Sequence, residues 1–213
     1  MARGRFITLE GGEGVGKSTL AAALEAKLSA RGIRIVRTRE PGGTPGAEAL
    51  RQFILNPPAA VGGWSATAEM LLFYAARRDH LDKLIRPSLS GGAWVICDRF
   101  SDSTRAYQAA AGQVPAEQIE AVDRICVGET TPDLTLVLDL PLSMARQRMS
   151  SRIGGQDAIE SRVLSYHESV HRAFLDIAKA NPERCVVLDA SQPAEAVVER
   201  AMSAVDERLG GER

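Results

Sequence analysis

The stretch ITLEGGEGVGKSTL, residues 7–20, decides the fold of this chain. It contains the pattern G-x-x-x-x-G-K-[ST] at Gly11, Gly16, Lys17 and Ser18, between a short apolar run and a run with apolar residues every four positions. A strand that turns through glycines into a helix directs backbone N–H groups and the positive helix end at one point, where phosphate binds. A glycine-rich turn with a solvated lysine is the plainer alternative. The full pattern in this context favours a nucleotide-phosphate loop.

Each residue of this loop is expected to contribute to nucleotide binding. Lys17 is expected to reach the β- and γ-phosphates of a donor, and the Ser18 hydroxyl to coordinate Mg²⁺, directly or through water. The residues expected to contact the donor are Gly11, Gly12, Glu13, Gly14, Val15, Gly16, Lys17, Ser18 and Thr19.

The order of apolar runs predicts the architecture around the loop. Five short runs, RFITLE, IRIVRT, AWVICD, LTLVLDL and RCVVLDA, alternate with longer stretches of helical period. They read as strands that are apolar on both faces, which is typical of a parallel sheet covered by helices on each side. We therefore expect an α/β fold with a five-stranded, mainly parallel sheet. Two irregular segments, 40–46 and 149–157, are candidate functional loops.

Composition limits the class of protein. The 213 residues are 45% hydrophobic and 25% charged, which predicts a single globular domain spanning residues 1–213. A net charge of -1 disfavours a polynucleotide partner, and no apolar run has the length of a membrane span. The three cysteines lie far apart without metal-ligand spacing, so we expect reduced thiols. Because MARGRF leads into an apolar strand without the h-region of a signal peptide, and no run could span a membrane, we expect a cytoplasmic location.

A second charged pair is predicted at the same edge of the sheet. The run AWVICD ends in Asp98, and Arg99 follows it at the carboxyl end of a strand, where open α/β sheets bind ligands. Asp98 could hold the hydration shell of Mg²⁺, and Arg99 could bind phosphate oxygens bidentately. Alternatively, Asp98 and Arg99 could form only a surface ion pair. The phosphate loop at the same edge of the sheet favours a role in ligand binding.

Four separated motifs together resemble the bacterial thymidylate kinases: the phosphate loop, TREPGGTPG, FYAARRDH and DRFSDSTRAYQ. The resemblance spans nearly the whole chain. It implies a P-loop kinase fold that transfers the γ-phosphoryl group of ATP to dTMP, giving dTDP and ADP for dTTP synthesis. It also implies dependence on Mg²⁺ and a homodimer.

The resemblance further implies site residues. Glu13 would lie near the deoxyribose and the metal, Glu40 and Arg51 near the acceptor sugar and phosphate, and Arg99 on the dTMP phosphate. The remaining residues implied to contact the base are Phe73, Arg77, Ser103, Thr104 and Gln108. From the helical pattern alone, Phe73 would more often be a core residue, so its role depends on the joint motif.

A lid is expected at residues 148–157. Arg148 and Arg152 are four apart and would share one helix face directed at a polyphosphate. Gly14 is an arginine in the eukaryotic branch of the family, so the charge that stabilises the transferring phosphoryl group is expected from the lid here. The family lid often reads Asp-Arg-x-Glu, whereas this chain has DAIE at 157–160, which favours Arg152 as the supplier, with Arg148 second.

Two other functions compete. A deoxynucleoside kinase would use Glu40 as a general base on a nucleoside hydroxyl, whereas the phosphate of dTMP is already anionic and needs no base. A GTPase-like switch would carry the guanine signature N-K-x-D, which the sequence lacks.

Overall fold

The coordinates are a computed structural model, which describes residues 3–57, 62–111, 113–150, 159–160 and 162–210. Five parallel strands form one sheet in the order β2-β3-β1-β4-β5. The strands are β1 (Phe6–Glu10), β2 (Ile35–Arg39), β3 (Trp94–Asp98), β4 (Leu134–Asp139) and β5 (Cys185–Asp189). The prediction of an α/β fold with a five-stranded parallel sheet is confirmed.

Helices connect successive strands. They are α1 (Lys17–Ala30), α2 (Pro45–Leu55), α3 (Ala66–His80), α4 (Arg86–Ser90), α5 (Ser101–Thr104), α6 (Ala116–Cys126), α7 (Leu142–Ser150), α8 (Leu164–Ala180) and α9 (Ala194–Leu209). Two π-helical turns, Leu81–Ile85 and Arg105–Ala110, continue α3 and α5. Among the described helices, none has both the length and the apolar character needed to cross a bilayer.

Side-chain alternation along the central strands builds a core on each face of the sheet. Ile7 and Leu9 of β1 pack in the cluster that contains residues of α1 and α9. Phe6 of the same strand packs in a second cluster with Met70 and Tyr74 of α3. Because successive side chains of a strand point to opposite faces, one buried strand supplies both cores.

The expectation that all five strands are apolar on both faces is wrong for the two edge strands. Arg37 and Arg39 of β2 are exposed, as is Val187 of β5. An edge strand has a strand neighbour on one side only, and solvent reaches the rest of its surface.

The sheet order determines where a ligand can bind. β1 lies at the centre, with β3 on one side and β4 on the other, so the chain changes direction across the sheet at this strand. In open α/β sheets the crevice beyond the carboxyl ends of the strands at such a switch point binds ligands. The ends of β1, β3 and β2 lead into residues 11–16, Asp98–Arg99 and Glu40, which brings three of the four motifs together.

Candidate active site

The phosphate loop between β1 and α1 curves through left-handed glycines. Gly11, Gly14 and Gly16 have φ values of 133°, 72° and 102°, a region that disfavours side chains. Lys17 lies buried at the start of α1, and its Nζ donates hydrogen bonds to the carbonyls of Gly11 at 3.1 Å and Gly12 at 2.7 Å. Burial, with a contribution from the Arg99 charge, lowers the pKa of Lys17 to about 8. The ammonium therefore lies against the loop carbonyls, and its burial makes the charged form costly.

Two oxygen-bearing side chains meet beside the loop. Ser18 Oγ donates to Asp98 Oδ2 at 2.8 Å, which joins the first turn of α1 to the end of β3. A hydroxyl and a carboxylate side by side are the hard oxygen ligands that Mg²⁺ takes, usually with several waters retained. The donor set therefore fits this cation.

Arg99 occupies a strained backbone position at the end of β3. Its φ of 74° lies in the left-handed region that residues other than glycine rarely adopt. A hydrogen bond from its N–H to the Leu9 carbonyl, at 2.9 Å, holds the turn. Strain of this kind persists only where the surrounding structure enforces it and is typical of functional sites.

The Arg99 guanidinium connects the loop to the segment after β3. It donates to the Gly11 carbonyl at 3.0 Å, to Glu13 Oε1 at 2.7 Å, to Ser103 Oγ at 3.1 Å and to Tyr107 Oη at 3.0 Å. It also lies over the Tyr107 ring, 4.9 Å from its centroid. Arg99 is thus fixed between the predicted donor and acceptor halves of the site.

Glu13 is the anion that faces Arg99. Burial alone would raise the pKa of Glu13, but the charges of Arg99 and Lys17 outweigh it and hold the pKa at about 2. The Tyr107 hydroxyl donates to the same carboxylate oxygen at 3.0 Å. Glu13 is therefore an ionised group that balances the two cations of the site.

Arg77 lies in a second, fully buried network. Its Nε donates to Glu40 Oε2 at 2.7 Å, while its terminal nitrogens donate to Thr104 Oγ1 and to the Phe100 carbonyl, each at 3.0 Å. The guanidinium lies 4.9 Å from the centroid of the Tyr74 ring. Arg77 is thereby locked in orientation, and α3, β2 and α5 are tied to one another.

His80 completes this network from the other side of Glu40. Its Nδ1 lies 3.2 Å from Glu40 Oε1, and its Nε2 lies 2.7 Å from Thr38 Oγ1. Since a carboxylate only accepts, Nδ1 carries a proton and donates to Glu40. Both oxygens of Glu40 are therefore engaged by neighbours.

One cavity of about 310 Å³ joins the two networks, which places it at the lower end of the size range of small-molecule sites. Its lining from the phosphate loop and α1 consists of Glu13, Gly14, Gly16, Lys17, Ser18 and Thr19. Its lining from the predicted acceptor motifs consists of Glu40, Arg51, Phe73, Arg77, Ser103, Thr104 and Gln108, and Asp98 and Arg99 lie between the two sets. Gly11, Gly12 and Val15 belong to the loop without lining the cavity.

Phe73 and Arg51, whose roles were predicted from the joint motif, both line the cavity. Phe73 is half-buried on α3 and lines the cavity, so it is a wall of the site rather than a member of the core. Arg51 on α2 lines the cavity as well, and its guanidinium donates to the Pro41 carbonyl at 2.8 Å.

Arg148, one of the two predicted lid arginines, is not part of this lining. Arg148 is exposed on α7 and donates to the Ala190 carbonyl at 3.2 Å, at the turn between β5 and α9. Arg152 lies outside the described residues. Gly14 is closely covered by α7: a Cβ there would lie 2.7 Å from the Ala145 carbonyl oxygen and 2.9 Å from Met149 Cγ. An arginine at position 14 would thus require α7 to move.

Sequence reasoning missed several residues that line the cavity, namely Arg39, Pro41, Leu55, Tyr107, Ile159 and Glu160. Tyr107 had a usable signal, because it lies four residues after Ser103 and three after Thr104, on the same helical face. Ile159 and Glu160 follow the lid, and no local pattern placed them at the site.

Glu10, the last residue of β1, was missed as well. It is fully buried, and its carboxylate accepts from the N–H of Phe100 at 2.8 Å and of Ser103 at 3.3 Å and from Ser103 Oγ at 2.6 Å. Burial, with the nearby charge of Asp102, raises the pKa of Glu10 to about 7. Glu10 therefore holds the backbone on the far side of Arg99.

Comparisons with known proteins bear on the identity of this site. A family model described as thymidylate kinase matches residues 9–201. The chain belongs to the thymidylate kinase family. The thymidylate kinase of Caulobacter vibrioides is 49% identical over 210 residues, which cover 99% of this chain and 100% of that protein. The thymidylate kinase of a Bradyrhizobium strain is 48% identical over 209 residues, 97% of this chain and 92% of the relative.

A solved structure agrees with the sequence relatives. The crystal structure of thymidylate kinase from Ehrlichia chaffeensis superposes with a TM-score of 0.77 at 31% identity, covering 95% of this chain and 99% of that one. The resemblance to thymidylate kinases inferred from the four motifs is thereby confirmed, as is the P-loop kinase fold.

Proposed function

We propose that this chain transfers the γ-phosphoryl group of ATP to dTMP, giving dTDP and ADP, in the cavity described above. The observation that carries the proposal is that one cavity holds two separate cationic sets. Lys17 lies at the nucleotide loop, Arg51 lines the cavity from α2, and Arg99 contacts both the loop and the segment after β3. A hydrolase or switch needs only the first set, whereas a nucleotide kinase must hold two phosphorylated ligands.

On the donor side, the loop N–H groups and Lys17 bind the β- and γ-phosphates. Ser18 and Asp98 would hold Mg²⁺, which supplies charge neutralisation of the phosphates when bound. The two carbonyls that now accept from Lys17 are its resting partners, so phosphate binding exchanges neutral acceptors for anionic ones.

On the acceptor side, Arg99 binds the phosphate of dTMP. It is rigidly held by Ser103 and Tyr107, while its bonds to Gly11 and Glu13 face the donor loop and are the ones a phosphate would replace. Phosphoryl transfer needs mainly positioning and charge neutralisation, and a guanidinium that faces both substrates provides both.

The base and sugar are recognised by the remaining lining. Phe73 offers a flat apolar face, and Ser103, Thr104 and Gln108 offer polar groups to the rim of thymine. Arg51 and Glu40 lie at the sugar and phosphate end of the acceptor. Arg77 supports the base pocket through the bonds that fix its guanidinium.

The geometry gives no support to a nucleoside kinase that uses Glu40 as general base. A base needs an oxygen within hydrogen-bond reach of the proton it removes. Both oxygens of Glu40 are occupied, one by Arg77 and one by His80, and its side chain is 4% exposed.

The finer features of the enzyme are proposals too. Residues 1–213 act as a single domain, with residues 148–157 as a lid from which Arg152, and secondarily Arg148, would stabilise the transferring phosphoryl group. Location in the cytosol is proposed from the unpaired cysteines.

A homodimer is proposed from three neighbouring helices that each expose a large apolar side chain. These are Phe53 on α2, Leu71 on α3 and Ile125 on α6, with exposed fractions of 50%, 49% and 75%. Since α3 packs against both α2 and α6, these side chains lie on adjacent helices, and exposed apolar residues on one side of a protein are typical of interfaces. Sedimentation of wild-type protein and Leu71→Lys would test this: we expect a dimer and a monomer, and a monomeric wild type would contradict it.

The function itself is tested by the choice of acceptor. ADP release from Mg-ATP would be measured with dTMP, dUMP, dCMP and thymidine in turn, and the products separated by chromatography. We expect dTMP to be the best acceptor and dTDP its product. Turnover of thymidine without turnover of dTMP would overturn the proposal.

A further inference from the structure

A buried carboxylate that does not line the cavity contacts the base pocket from behind. Glu69 lies on α3 and is 7% exposed, and its Oε1 accepts from Gln108 Nε2 at 3.0 Å. Its Oε2 accepts from the guanidinium of Arg162. Arg162 is itself held, because it donates to Tyr166 Oη at 2.6 Å and that hydroxyl donates to the Tyr107 carbonyl at 2.9 Å.

This contact fixes which way the Gln108 amide faces. An ion-paired carboxylate only accepts hydrogen bonds, so the NH₂ end of the amide must lie toward Glu69. Without such a partner, the two ends of a glutamine amide are nearly interchangeable. Here the orientation is set by the chemistry of Glu69.

The other end of the amide is left for a ligand. Gln108 lines the cavity, whereas Glu69 does not. Within the described part of the chain, Gln108 Oε1 accepts no hydrogen bond, and no fully buried side-chain oxygen or nitrogen lacks a partner there. The oxygen is therefore an acceptor that remains available at the cavity wall.

The N3 position of a pyrimidine base is sensitive to which end of the Gln108 amide faces the ligand. Thymine and uracil carry N3–H, a donor, whereas cytosine has a bare N3, an acceptor. The Gln108 oxygen can accept a hydrogen bond from the N3–H of thymine or uracil, but it faces the N3 lone pair of cytosine and repels it. An NH₂ group at the same place would instead favour cytosine. A site built to pair with one ligand group discriminates strongly against a ligand that lacks it.

We propose that Glu69 is a positioning residue that determines base specificity: it holds the Gln108 amide with its oxygen toward the ligand, so that the site accepts 5-methyluracil or uracil bases and rejects cytosine. The inference rests on the proposed function, since it requires a pyrimidine monophosphate in the cavity. Arg162 contributes by balancing the charge of Glu69.

The test replaces the carboxylate by an amide of the same shape. In Glu69→Gln the new side chain can donate as well as accept, so the Gln108 amide is free to turn. The ratio of kcat/KM for dTMP to kcat/KM for dCMP should fall by about tenfold to hundredfold, the cost of an unmade buried hydrogen bond. The KM for ATP should stay unchanged. Glu117→Gln, an exposed substitution of the same kind on α6, should leave the ratio as it is.

The outcomes separate the inference from the function. Wild-type enzyme that prefers dTMP, with an unchanged ratio in Glu69→Gln, would overturn the inference alone. So would a variant that loses both activities equally, since that is the sign of a merely structural role. A wild type that does not use dTMP would overturn the proposed function, and the inference with it.

A second variant decides the question if Glu69→Gln does not fold. Glu69→Asp keeps the charge that pairs with Arg162 but withdraws the oxygen from Gln108. The ratio should fall in the same direction and by less, and an unchanged ratio in a folded Glu69→Asp enzyme would again overturn the inference.

Discussion

Arg77 and Glu40 form an ion pair inside the protein: Nε and Oε2 are 2.7 Å apart, and the two side chains are 2% and 4% exposed. The pair joins α3 to the residue after β2, and both side chains form part of the cavity wall. Because both charges are almost completely buried, each depends on the other, and the shape of the acceptor pocket depends on both.

The first prediction concerns this pair. Arg77→Met should lower the free energy of unfolding by about 3–5 kcal/mol, because Glu40 would remain as an uncompensated buried charge. Arg78→Met is the matched control, since the neighbouring Arg78 is exposed and pairs with Asp82 on the surface, a contact worth about 1 kcal/mol or less. Urea unfolding of both variants measures the difference. Equal stabilities would show that the pair does not organise the pocket.

A pH dependence follows from Lys17. The pKa of this buried lysine is lowered to about 8, and the protonated form binds phosphate. As pH rises through this value the free enzyme loses the charge, so kcat/KM for Mg-ATP should decline above about pH 8. Lys17→Arg, although less active, should show no such decline. A wild-type profile that stays level to pH 10 would contradict the assigned role of Lys17.

Glu10 should contribute to the pH dependence of the free energy of unfolding. Its pKa is raised from 4.5 to about 7 in the folded protein, so between these values the native state binds more protons than the unfolded state. The contribution of Glu10 to the stability of the wild type should therefore fall as pH rises from 4.5 to 7. Glu10→Gln cannot titrate and should lack this part of the decline, whereas Glu117→Gln should follow the wild type. Parallel curves for all three proteins would count against a raised pKa.

Gly14 should tolerate substitution poorly, unlike its neighbour Gly12. Alanine at position 14 meets the left-handed φ of 72° and the Ala145 carbonyl at 2.7 Å, and we expect a loss of about 1–3 kcal/mol in unfolding free energy. A Cβ at Gly12 would meet nothing nearer than Val15 Cγ1 at 4.0 Å. Thermal unfolding compares the two variants, and equal melting temperatures would mean that α7 does not pack on the loop as described.

The sequence predicted most of the fold, for a physical reason. Buried parallel strands must be apolar, and the phosphate loop must contain glycines at fixed places, so both leave local patterns such as ITLEGGEGVGKST. Edge strands obey weaker constraints. Arg37 and Arg39 therefore broke the expected pattern of β2, although that strand was still found.

The site was predicted less completely, because much of it depends on contacts between distant parts of the chain. Lys17 and Arg99 follow from local motifs. Glu69 and Arg162 are 93 residues apart, and nothing in either neighbourhood indicates that they meet behind Gln108. From the sequence, Glu10 is an ordinary polar residue at the end of a strand. Its hydrogen bonds to the N–H groups of Phe100 and Ser103 depend on the backbone after β3, which is distant in sequence.

The central claim is that a phosphoryl group passes from a donor at Lys17 to the phosphate of dTMP held by Arg99. A single-turnover experiment with ATP labelled in the γ-phosphate, quenched at intervals in the presence of dTMP, tests it most directly. We predict that the label appears in the β-phosphate of dTDP and that Arg99→Met slows its appearance by about 10²–10³-fold, while Arg78→Met does not. Label recovered as free phosphate, or an Arg99→Met enzyme as fast as Arg78→Met, would contradict the account.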